Sequence, residues 1–168
     1  LPLVSHPCCA QKRAFFGRTS PTNMVIIQTK PMLSHDDITL ILKAAREEAL
    51  KNNWPVCISV VDDGGHLLAL ERLDGCAPIG AYISAEKART AALGRRESRV
   101  YEEMINAGRT AFLSAPAISG MLEGGVPIIA AGHIVGAVGV SGVKSEQDAQ
   151  VSHAGAIAIQ EQFSSNPN

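Results

Sequence analysis

Residues 56–75 read V-C-I-S-V-V-D-D-G-G-H-L-L-A-L-E-R-L-D-G, two apolar runs on either side of Asp62-Asp63-Gly64-Gly65. The interruption is turn chemistry: glycine supplies positive φ at no steric cost, and aspartate tolerates it. The stretch therefore predicts a β-hairpin closed by a tight primed turn. Residues 56–61 are almost continuously apolar and rich in β-branched side chains. That predicts a strand covered on both faces, in the middle of a sheet.

A second hairpin is predicted over 126–141, V-P-I-I-A-A-G-H-I-V-G-A-V-G-V-S, with Gly132-His133 as its two-residue turn. Glycine weakens a strand unless something must come close, so Gly136 and Gly139 mark close approach. Helical patterns surround the two ribbons. Ser34 is the N-cap of a first helix, with Asp36 and Asp37 suiting its positive end. Ile38, Ile41, Leu42, Ala45 and Ala49 form its buried stripe, and Glu47 with Lys51 an outer i,i+4 pair. Asn52-Asn53 and Pro55 end it. Residues 82–95 predict a helix with a narrow face of alanines at 81, 85, 88 and 92, and 97–107 a second, more charged one. Residues 111–125 read as a loop with a turn of helix or a short strand. Residues 146–163 close the chain as a helix, with Ala149, Ala156, Ile159 and Phe163 inward. Two hairpins with no crossover helix between partner strands mean an antiparallel sheet, and the helices make the class α+β, with the sheet flanked by helices.

The 168 residues suit one domain, expected over 24–168. Residues 1–23 hold Lys12, Arg13 and Arg18 but no acid; they read as a leader, an extraneous remnant or a start mis-assigned ahead of Met24. Residues 25–28 are a short edge strand or staple. A net charge of −1 without a basic cluster in the body argues against nucleic acid and anionic membranes. No apolar run reaches the ~18 residues of a membrane span. Cys8, Cys9, Cys57 and Cys76 lack zinc or C-x-x-C spacing and read as reduced thiols. A cytoplasmic location is expected, organellar or exported if the leader is native.

The motifs for common chemistries fail. G-A-V-G-V-S-G at 136–142 lies in a strand and lacks the Lys-Ser/Thr of a phosphate loop, so close sheet packing explains it better. No G-x-S-x-G elbow and no H-E-x-x-H is present. His66 and His133 sit at hairpin turns and His153 on a helix, where solvated surface is the plain reading. His35 at a helix start is the candidate axial ligand for a haem or corrinoid metal, against decoration of the capping turn. Lys87 and Thr90 share a helix face, and Arg72 and Asp74 leave the hairpin just before it. These four can converge on a carboxylate or propionate, or else serve ion pairing and capping. Asp62 and Glu86 are the weak candidates for a general base.

V-V-D-D-G-G-H-L-L-A-L-E-R-L-D-G, then E-K-A-R-T-A, then G-G-V-P-I, then G-A-V-G-V-S-G followed by Gln147-Asp148, resemble the GlcG/HbpS/PduO C-terminal-domain family in the same order. The likeness runs from Leu33 to Ile159. It implies a profilin-like fold, assembly into homo-oligomers from dimer to octamer, and a small-molecule ligand. Haem or a corrinoid such as cobalamin is the ligand it implies, in a binding protein more than a classical enzyme. The alternative is an enzyme or accessory acting on a small carboxylate in hydroxy-acid or aromatic catabolism. The family's pattern falls on Asp62, Gly64, Gly65, Arg72, Asp74, Lys87, Thr90, Gly124, Gly125, Gly139, Gly142 and Asp148, most of them architectural in character. Leu73 and Cys76 stand where the family usually has Met and Ala.

Overall fold

The computed structural model describes residues 29–165, with side chains to residue 160; the leader, the 25–28 segment and the Phe163 side chain lie outside these. Ser34 opens helix α1 (His35–Lys51) through a capping box. Its hydroxyl accepts from the Asp37 N–H at 3.2 Å, and the Asp37 carboxylate accepts from the Ser34 N–H at 2.8 Å. Ile41, Ala45 and Ala49 are fully buried, while Ile38 and Leu42 pack at the edge of the core. The Glu47–Lys51 pair is replaced: Glu47 meets Lys43 at 3.9 Å and Lys51 meets Glu48 at 3.7 Å. Exposed pairs of this kind are nearly equal in energy, so sequence spacing does not choose among them.

The strands are β1 (Cys57–Asp62), β2 (Leu67–Arg72), β3 (Gly125–Ala130) and β4 (His133–Ser141). They form one antiparallel sheet in the order β2-β1-β4-β3, the two hairpins joined through β1 and β4. As the apolar run required, β1 lies inside the sheet and is buried along nearly its whole length. Both turns differ from the sequence reading. In the first, Gly65 N–H bonds to Asp62 O at 3.1 Å and Asp62 N–H to His66 O at 3.0 Å; only Gly65 has positive φ, at 78°. That is a three-residue loop with glycine at its left-handed position, in place of a two-residue primed turn. In the second, the turn residues are Ala131 (φ 49°) and Gly132 (φ 76°), one position earlier than expected, because Ala130 pairs with His133.

Alternation along the strands sends two sets of side chains to two layers. Ile58, Val60, Val138 and Val140 meet α1 and α4 (Ser145–Ser165) in the main core. On the other face, Val61 and Ala137 meet Ala88, Ala91 and Ala92 of α2 (Ile79–Gly94). Glycine makes that approach possible: a Cβ on Gly139 would overlap the Ser84 carbonyl oxygen, and one on Gly125 the Lys87 carbonyl oxygen. Close packing is therefore what the glycines of β4 serve. The seated stripe of α2 is Gly80, Ser84, Lys87, Ala88 and Ala91; Ala81 and Ala85 lie half-buried beside it, so the alanine face expected at 81, 85, 88 and 92 is rotated. Helix α3 (Arg99–Asn106) and a single 3-10 turn (Thr110–Ser114) fill the connection to β3. Among the described residues no helix is long and apolar enough to cross a membrane.

Candidate functional site

Lys87 points into the molecule. It is 3% exposed, donates to Asp148 Oδ2 at 2.8 Å and to the Val140 carbonyl at 3.0 Å, and lies against Gly124. Asp148, 2% exposed on α4, also accepts from the Val143 N–H at 3.2 Å. Burial pushes its carboxyl above the ordinary carboxylate range, although the Lys87 ammonium and the backbone donors pull the other way. This buried pair ties α2, β4 and α4 together. Ser152 adds a bond to the Gly124 carbonyl at 2.6 Å and Ser98 accepts from the Gly125 N–H at 2.8 Å. The family glycines 124 and 125 thus surround a structural lock.

The fold does not gather the four cradle candidates. Thr90 is fully buried, and its hydroxyl is the one buried side-chain polar atom among the described residues without a partner. Arg72 and Asp74 are exposed at the far end of β2. Arg72 sits opposite Cys57 in the sheet and makes no ion pair among the described residues; its charge acts on the thiols of Cys57 and Cys76. Burial raises both thiols, against that guanidinium, so neither is a ready nucleophile. Lys87 thus lies inside and Arg72 on the surface, with the Cys76 thiol feeling both Arg72 and the Asp148 carboxylate that Lys87 binds. His35 is exposed in the first turn of α1, on the opposite face of the sheet from α2.

The base candidates are both engaged. Asp62 Oδ1 accepts from the N–H of Gly64 (2.9 Å) and of His66 (2.8 Å), and its Oδ2 lies 3.1 Å from the His66 Nδ1. Partial burial would raise this carboxyl, but the His66 N–H, the His66 ring and the Gly64 N–H together hold it below its ordinary value. Glu86 accepts from Arg89 at 2.9 Å and from Ser119 at 2.6 Å. Each carboxylate thus serves its own turn or helix.

Sequence reasoning missed two features. The Asp62–His66 pair holds an exposed imidazole through its Nδ1; its signal was an Asp and a His four apart across a turn. The other is the surface of β2, where Leu67, Leu68 and Leu70 are 52%, 40% and 40% exposed in succession. Leucines in a strand are ordinarily covered, and here they run between His66 and Arg72.

Two clefts stand apart from this strand. One of 520 Å³ lies between the hairpin turns and is lined by Lys30, Asp63, Arg95 and His133. One of 260 Å³ is lined by Glu102, Ile105, Leu113, Ser119, Met121 and Leu122. Neither includes Arg72, Asp74, Lys87 or Thr90. No group of three or more His, Cys, Asp or Glu among the described residues is placed to hold a metal ion.

Comparison with known proteins agrees with the resemblance. A family model described as "Haem degrading protein HbpS-like" matches residues 33–157. The protein GlcG of Escherichia coli (strain K12) is 64% identical over 115 residues, covering 68% of this chain and 85% of GlcG. The crystal structure of HbpS superposes with a TM-score of 0.73 at 29% identity, covering 79% of this chain and 94% of HbpS. That of a PduOC–haem complex superposes with a TM-score of 0.69 at 23% identity, covering 76% of this chain and 95% of PduOC.

Proposed function

This chain belongs to the HbpS-like family, and from that premise we propose that it binds haem or a corrinoid-type tetrapyrrole at the surface of β2. The observation that carries the reading is the run of exposed Leu67, Leu68 and Leu70 beside an exposed Arg72 that has no ion pair among the described residues. A tetrapyrrole is a broad apolar plate with acidic or amide arms at its rim. An open leucine surface takes the plate, and a guanidinium takes a propionate as a bidentate fork. In this proposal His66 would take the place of His35 as the nitrogen that ligates the metal: the Asp62 carboxylate lies 3.1 Å from its Nδ1, the kind of second partner metal-bound imidazoles commonly have. The bound group would supply redox chemistry at its metal. This chain's residues supply the platform, the anchor and the oriented nitrogen. The family description and the haem held by PduOC, a protein of the same fold, support the choice of ligand. Lys87 and Asp148 hold the scaffold. Assembly with copies of itself is part of the same proposal.

Titration of the purified chain with haemin tests it. A shifted Soret band saturating near one equivalent per chain is expected at micromolar concentrations. Arg72→Ala and Leu70→Ser should each weaken binding about tenfold, the equivalent of ~1.4 kcal/mol. His66→Ala should alter the visible bands, and His35→Ala should not. An unshifted Soret band ends the haem reading; the same titration with cobalamin decides the corrinoid one.

The second reading is a small carboxylate in the 520 Å³ cleft. What favours it is the gathering there of Lys30, Arg95 and His133 against one acid, Asp63, which Lys30 already neutralises at 2.7 Å. Saturable binding of a hydroxy acid, lost in Arg95→Ala, would support this over the macrocycle.

A further inference from the structure

One stripe of α2 turns away from the sheet: Ile79, Tyr82, Glu86, Arg89 and Leu93. Steps of three and four alternate along it, which is the seam of a helix that packs on another helix. Yet Ile79 is 59% exposed, Tyr82 74% and Leu93 42%. The middle of the stripe is charged and partly exposed: Arg89 meets Glu86 at 2.9 Å and the Gly65 carbonyl at 3.2 Å, and Glu86 accepts from Ser119 at 2.6 Å.

The arrangement is self-complementary. Glu86 and Arg89 lie equally far on either side of a point between Lys87 and Ala88. Tyr82 and Leu93 are centred on the same point. Rotating a second copy about a two-fold axis through that point lays its α2 antiparallel on the first. Glu86 then faces the second copy's Arg89, twice over, and Tyr82 faces the second copy's Leu93, twice over. An isologous contact needs this symmetry of opposite charges about its axis. We infer that α2 is the seam by which two copies of this chain pair, antiparallel and two-fold. Lys87, on the buried side of the same helix, remains in its lock with Asp148 and takes no part. The inference rests on the proposed self-association and is independent of the ligand.

The test is the mass of the full chain in solution, by light scattering after gel filtration, with circular dichroism as the check on folding. The wild-type chain should run as a dimer or an even multiple. Tyr82→Glu should at least halve that mass. Glu86→Arg places like charges opposite one another in a two-fold pair, and so does Arg89→Glu; each alone should halve the mass. Mixed in equal amounts, the two single variants present opposite charges across the seam and should regain the wild-type mass. A charge pair acting only within one helix would not respond to mixing. A monomeric wild type would overturn self-association itself. An assembled wild type whose mass ignores folded Tyr82→Glu, or a mixture that stays dissociated, would overturn the α2 seam while leaving self-association intact.

Discussion

Lys87 is held by two acceptors inside the protein, and its carboxylate partner sits 61 residues further along the chain. Removing one member of such a pair leaves the other charge buried alone, at a cost of about 3–5 kcal/mol. Lys87→Met is expected to lose about that much, and replacing Asp148 by Leu in the same chain to recover most of it. The pH dependence has a definite sign. Asp148 titrates higher in the folded chain than its ordinary 3.8. Between those two values the folded chain keeps a proton that the unfolded chain has lost, so this group lowers stability as pH rises through that window, and the full cost persists above it. Lys87 lessens that cost. Without it the folded value climbs and the window extends upward. The deficit of Lys87→Met against wild type should therefore be greatest at neutral pH and shrink on acidification, as urea melts at a series of pH values would show. None of this was readable in E-K-A-R-T-A, because the partner that decides whether a lysine is buried lies outside its own helix. The matching Lys87–Asp148 positions were in view as family pattern, and only packing made them a pair.

At the scale of elements, both ribbons were legible because burial enforces their period. A run such as 56–61 has few homes other than the middle of a sheet, and β1 occupies it. Turn geometry was less legible. Reading Gly132-His133 as the turn kept alanine out of positive φ, but Ala131 sits there at 49°. An L-residue in that region is strained by about 1–2 kcal/mol, and asparagine bears it best among non-glycines. Ala131→Asn should accordingly stabilise the chain by about 1 kcal/mol, giving the Asn-Gly turn that two-residue hairpins favour, read as a higher urea midpoint at unchanged slope. The seated face of α2 was misjudged for a related reason. Glycine, alanine, serine and threonine surround that helix so evenly that sequence contrast scarcely marks which stripe meets the sheet. The glycines of β4 and β3 mark it instead, by what they leave room for.

Across the whole molecule, the sheet divides labour between its edges and its middle. Its middle strands carry the core and the charged lock. At one edge, β2 keeps leucines in the open between His66, held by Asp62, and Arg72, which has no ion pair among the described residues. Beside it, α2 shows the seam proposed to join two copies. The sequence reading set Arg72 beside Lys87 and Thr90 as groups for an acidic ligand; the fold buries Lys87 and Thr90, and the proposal keeps Arg72 alone in that role. Hydrogen exchange of the full chain with and without haemin tests the central claim most directly. Slowed exchange concentrated over residues 66–72 is the expected result. Slowed exchange centred on His35 and the start of α1, or on the cleft lined by Lys30 and Arg95, with β2 unchanged, would contradict it.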